Sequence, residues 1–144
     1  MLIPEKSKLE EITKELQKIM LIQHWDIELE YVDKYKMKDL FSANNFDTIM
    51  MCERYRLRNE ATIYINSDHL ALETQWYESI VHELYHVVTG GMSDITDDLL
   101  DEIGAAEIIR RHKRECNETT VVNLAKIFIN VYPATNFIKD SESV

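Results

Sequence analysis

Glycine and proline are scarce, three and two in 144 residues. That leaves no flexible linker and no low-complexity tract. Cysteine is as rare. Cys52 and Cys116 stand far apart with no nearby partners, which excludes a disulfide framework and a Cys-type zinc site. Two isolated thiols fit a reducing compartment. No apolar run approaches the ~20 residues that a membrane-crossing helix needs. The first twenty residues are studded with Lys and Glu, unlike a secretion signal. The expectation is a cytoplasmic protein with no membrane partner. Positive charge is also short, with 16 Lys and Arg against 26 Asp and Glu, a net charge of −10. The one basic run is Arg110-Arg-His-Lys-Arg114. So acidic a chain repels phosphate backbones, and nucleic acid is not expected as a partner.

What is present describes an ordinary globular chain, 45% apolar and 29% charged. Its length suits one domain, residues 1–144. After Pro4, the apolar residues Leu9, Ile12, Leu16 and Ile19 recur at helical spacing and predict a helix to about Leu21. The period then changes. Trp25, Ile27, Leu29 and Tyr31 alternate with acids, as in a strand with one wet face. Residues 33–46 are polar and irregular and read as loop. Residues 49–57 and 61–66 are two further strands, with Arg58-Asn59-Glu60 as a hairpin turn. Three helices follow, at roughly 73–89, 96–114 and 118–131, and residues 139–144 read as a frayed end. Strands in a block followed by helices in a block predict an α+β fold: an N-terminal helix, a small antiparallel or mixed three-stranded sheet, then three helices.

The first of those three helices carries His82-Glu-Leu-Tyr-His86. Tyr77, Ile80, Val81, Leu84 and Val88 form its core stripe. His82 and His86, four apart, lie one above the other on a more polar face. Imidazoles on adjacent turns can both reach one ion at about 2.0–2.1 Å. Glu83 points about 100° round the axis from His82, where it can meet a water without being a ligand. Gly90-Gly91 reads as the end of this helix.

A catalytic zinc takes three protein ligands and keeps one open position. The extended pattern, with Gly three and His six residues beyond the second His, fails, because those positions hold Thr89 and Met92. The only later histidine, His112, falls on the polar side of its helix. Four carboxylates remain: Glu118, Glu107, Glu102 and Glu115. Glu118 shares a face with Val122, Ala125 and Ile129 in the first turn of the last expected helix. A carboxylate aimed at a core is costly unless it is paired or metal-bound. Glu107 lies on the inner side of the middle helix, with Arg110 and Arg111 in reach.

Ala61-Thr-Ile-Tyr-Ile-Asn66, a short connection and His82-Glu-Leu-Tyr-His86 together resemble the zincin-like metallopeptidases. The likeness is to the small phage- and mobile-element-encoded ones and their ImmA/IrrE relatives. Trp25-Asp-Ile27 is similar to their N-terminal strand, and Glu118-Thr-Thr-Val-Val-Asn-Leu-Ala125 to the helix start that supplies their third ligand. Gln75-Trp-Tyr-Glu-Ser stands where the ImmA/IrrE branch has an Arg-x-x-Phe approach, so a repressor-cleaving role is not carried over. The resemblance implies Zn²⁺ on His82, His86 and Glu118, Glu83 as general base, and a peptide or protein substrate. Thr62 to Asn66 is a candidate edge strand for holding such a peptide. Met37, Met50 and Met51 read as core or as a substrate groove. No tyrosine stands out as oxyanion partner. The other functional expectation is a phage-derived zinc-binding regulatory or protein-binding module with little proteolysis.

Overall fold

The computed structural model of the chain describes residues 2–41 and 48–138. The apolar period of the N-terminus becomes helix α1, Lys6–Ile19, which buries Leu9, Ile12 and Leu16. It closes when Ile22 donates its N–H to Gln17 and Leu21 to Lys18. Leu21 takes a left-handed φ of 61° to allow this. The buried Gln17 amide donates to the carbonyls of Ile22 and Trp25, at 3.2 and 2.8 Å, and holds the exit.

Strand β1, Asp26–Val32, keeps Asp26, Glu28 and Glu30 in solvent, the wet face its alternation predicts. A helix then stands where loop was expected: α2, Lys34–Phe41. The Asp33 carboxylate accepts the Lys36 N–H at 2.8 Å and caps it. Met37 is buried with Val32 and Tyr64, and Phe41 meets the Tyr64 ring edge-on at 5.4 Å. Residues 42–46 of the expected loop, and the expected frayed end at 139–144, lie outside the described residues.

Strands β2, Met50–Tyr55, and β3, Glu60–Asn66, form the expected hairpin, closed by the Tyr55–Glu60 pair. β1 pairs with β3 in parallel, so the sheet is mixed, in the order β1-β3-β2. This corrects one expectation. β3 is the central strand, paired on both sides, and residues 61–66 are all buried, so Thr62 to Asn66 cannot take up a peptide. The free edge next to the hairpin belongs to β2.

Helix α3 runs without interruption over Leu72–Glu102. Trp76, Ile80, Val81, Leu84 and Val87 enter the main core, along with α1, the inner face of the sheet and the end of α4. Val87 replaces the expected Val88, which is exposed. Gly90-Gly91 does not stop the helix. Gly90 is buried because the Arg54 guanidinium of β2 lies against it, and an added Cβ would overlap that group. Arg54 reaches past it to Asp94, one turn on, through two hydrogen bonds of 3.0 Å. The true stop is Gly104, at φ 62°. There Gly104 donates to Asp101 and Ala105 to Leu100, the backbone closure that a left-handed residue after a helix permits. Arg110 seals the turn by donating to the Leu100 and Ala105 carbonyls and to Asp101. Helix α4, Glu107–Val131, is likewise continuous. Two long helices therefore stand where three were expected, and the described residues form an α+β fold of four helices and a three-stranded mixed sheet. A 3₁₀ turn at Ala134–Asn136 completes the described chain. None of the described helices is long and apolar enough to cross a membrane.

Candidate metal centre

His82 and His86 occupy adjacent turns of α3 on the side facing α4. Their rings sit 4.9 Å apart and their Nε2 atoms 3.2 Å apart. Glu118 reaches across from α4. One carboxylate oxygen lies 2.8 Å from His82 Nε2, the other 3.2 Å from His86 Nε2. Among the described residues this is the one group of three or more His, Cys, Asp or Glu side chains whose ligand atoms converge. Its spacing bears on what it can hold. Ligands about 2.05 Å from a tetrahedral ion sit about 3.3 Å from one another. Separations of 2.8–3.2 Å are close to that value.

Glu118 comes to this point by a route the residues did not suggest. It lies in the interior of a continuous α4, and its side chain is 53% exposed. The expected first-turn position and core-facing carboxylate are both corrected. Its stripe partners behave differently: Ala125 is buried, while Val122 and Ile129 are half-buried. The other carboxylates lie elsewhere. Glu107 is exposed at the start of α4 and paired with Arg114 at 2.6 Å. Glu102 ends α3 and Glu115 is exposed. His112 is exposed and lies near Cys116 Sγ at 3.6 Å.

Glu83 points toward β2, about 100° round α3 from His82, and is only 6% exposed. Burial first, then the nearby Glu118 carboxylate, push its carboxyl up to about 8, while a backbone N–H of Cys52 donates to it and pulls the other way. A carboxyl raised this far is held protonated at neutral pH, and only a cation close to both carboxylates would favour its ionised form. The donor chemistry therefore fits a divalent cation. Burial also lowers the His86 pKa, favouring the neutral imidazole that a metal requires. The Cys52 thiol is pushed up to about 12 by burial and stays protonated.

Two cavities meet at His82. One, about 290 Å³, is bordered by Ile49 and Met50 near β2 and by Gln75, Glu78 and Ser79 of α3. The other, about 380 Å³, lies against Val122, Ala125 and Ile129 of α4, with Lys126 and Glu78 at its polar margin. No tyrosine borders either one. A larger cleft, about 430 Å³, lies between α1 and the wet face of β1 and has no His or Cys in its lining. Met37 and Met50 are buried; only Met50 also borders the site. The residues that sequence reasoning missed are Arg54, which ties β2 to α3, and Cys52, whose backbone meets Glu83. Arg54 carried no signal of its own, as one charge among Glu53, Arg54 and Arg56. Cys52 carried none, because a backbone N–H has no residue type.

Comparison of the chain with known protein families finds no match, and comparisons with curated proteins and with solved structures find none either.

Proposed function

We propose that the chain is a zinc-dependent, zincin-like metallopeptidase in which His82, His86 and Glu118 hold the ion. The observation that carries this reading is the convergence of those three side chains, from two helices, at separations that suit a tetrahedral ion. Zn²⁺ held there supplies a Lewis acid that polarises a substrate carbonyl and acidifies a water molecule. The chain supplies the rest. Glu83, buried next to the site, takes a proton from the attacking water and returns it to the leaving amine. The Cys52 N–H holds the Glu83 carboxylate on the sheet side, so it works as a base and not as a fourth ligand. His82 and His86, half-exposed, leave the solvent side open to a substrate. The free edge of β2 offers main-chain partners to an extended peptide. The cavity along Val122, Ala125 and Ile129 suits an apolar side chain of that peptide.

The test is Glu83→Gln. Wild type and variant, purified from zinc-containing medium and dialysed, should each retain about one zinc per chain by elemental analysis. The wild type should cleave members of a peptide library, and the variant should be slower by roughly 10²–10⁴-fold. A wild type that retains no zinc, or a variant as fast as wild type, refutes the assignment. Zinc retained with no cleavage by the wild type would point instead to a zinc-binding protein-interaction module.

A further inference from the structure

Strand β1 ends the sheet on the side away from β2. Among the described residues no strand lies beyond it. Its register decides which backbone groups are left over. Asp26 donates its N–H to the Asn59 carbonyl, and Val32 accepts the Ser67 N–H. In a parallel ladder one residue turns both its N–H and its C=O to one side, and the next turns both to the other. Asp26, Glu28, Glu30 and Val32 therefore bond to β3. Ile27, Leu29 and Tyr31 turn their N–H and C=O groups to the free edge, where no hydrogen bond from the described residues reaches them. Such groups need partners, and a row of them two residues apart is a template for another strand.

We propose that this edge binds an extended segment of a partner protein that carries Lys or Arg at every second position. The edge borders the cleft of about 430 Å³, whose other wall is Lys6, Glu10, Thr13, Lys14 and Gln17 of α1. A second hollow, about 250 Å³, shares Lys14, Gln17, Asp26 and Ile27 with it and prolongs it past Trp25. The strand therefore has a seat along its length. Charge selects the occupant. Asp26, Glu28 and Glu30 line the outer rim at every second residue, roughly 7 Å apart. All three are exposed, and none takes part in an ion pair among the described residues. The helix wall is mixed, with Lys6 4.0 Å from Glu10 and Lys14 beside them. An added strand sets alternate side chains next to the three acids, on the same face. The β1 of a second copy would set acid against acid there, which disfavours it. Lys or Arg at the same two-residue period meets all three carboxylates while the backbone completes the ladder. The site lies across the sheet from the metal centre and depends on neither zinc nor hydrolysis.

The probe is a short labelled peptide of alternating lysine and valine, titrated with the full chain by fluorescence anisotropy in the presence of a chelator. It should bind with a Kd of about 10–100 μM. The same peptide with glutamate for lysine should bind about tenfold more weakly or worse. Glu28→Lys combined with Glu30→Lys should reverse that preference. Glu102→Lys, a charge reversal at an exposed site outside the sheet, should preserve it, which separates the edge from the general pull of an acidic chain on a cationic peptide. Circular dichroism of the variants should match wild type, since all three positions are exposed. Amide exchange of the wild type needs no variant. With the lysine peptide bound, the amides of Ile27, Leu29 and Tyr31 should exchange about tenfold more slowly or better, while those of Glu28 and Glu30, already bonded to β3, should not change. No binding by about 1 mM, equal affinity for the two peptides, a preference that survives the double reversal, or the absence of that alternation along β1 would each overturn the assignment.

Discussion

Gly90 and Gly91 are neighbours in one helix, yet alanine should act on them with opposite sign. Alanine inside a helix is more favourable than glycine by about 1 kcal/mol, and both substitutions start from that gain. At Gly91 an added Cβ meets nothing within 4 Å. Gly91→Ala should therefore keep the gain and raise Tm by about 4 °C for a chain of this size. At Gly90 the Cβ overlaps the Arg54 guanidinium, which has to leave. It takes with it two charge-assisted hydrogen bonds to Asp94, each 3.0 Å long, between side chains only 20% and 17% exposed. Discounted for residual solvent, the pair is worth about 2–3 kcal/mol. The net effect of Gly90→Ala is then a loss of about 1–2 kcal/mol, or about 4–8 °C in Tm. Thermal unfolding followed by circular dichroism measures both. A Gly90→Ala variant as stable as wild type would refute the close seat of Arg54 on the helix. So would a failed cycle: with Arg54→Ala in the background, Gly90→Ala should become stabilising by about 1 kcal/mol. The outcome bears on the site, because Arg54 ties to α3 the strand whose Cys52 N–H meets Glu83.

The same ion pair gives the protein an acid limit. The hydrogen bonds from Arg54 hold the Asp94 carboxyl below its ordinary value. A depressed folded-state pKa stabilises above the unfolded value of about 3.9 and is lost as pH falls through the folded one. Wild type should lose more Tm than Arg54→Met between about pH 5 and pH 3; equal losses would exclude the pair as the cause. Leu21 holds a left-handed φ of 61° that suits glycine. Leu21→Gly should raise stability by about 0.5–1 kcal/mol in urea titrations, and a loss would mean that the Leu21 side chain contributes more than its backbone strain costs. Zinc at a hundredfold excess over its dissociation constant should stabilise the chain by about 2.7 kcal/mol, reversibly on chelation. Glu118→Gln should weaken zinc binding more than the roughly 10–100-fold that losing a supporting group costs. Unchanged zinc affinity, measured by calorimetry, would remove Glu118 from the ligand set.

Local pattern alone determined a good part of this protein. The 3.6-residue period of Leu9, Ile12 and Leu16 set α1, the two-residue period of Trp25 to Tyr31 set β1, and the spacing of His82, Glu83 and His86 put the imidazoles on one face of α3 and the carboxyl on another. These features repeat within a few residues and need no distant partner. α2 was missed: with Asp33 as a cap and Met37 and Phe41 four apart, its residues still read as loop, because the run is short and polar. The end of α3 was misplaced in the same way, at Gly90-Gly91 and not at Gly104. Tertiary structure alone decided the rest. That Gly90 serves as a seat for Arg54, a residue of another element, and not as a helix end, shows only in the packing. That β3 is central followed from β1 joining it from across α2 and β2, which no hairpin pattern reveals. Glu118 met His82 and His86 only because Gly104 turned α4 back along α3 and brought its interior level with their two turns. Periodicity is enforced residue by residue along the backbone; which surfaces meet is settled only when the whole chain chooses how to bury them.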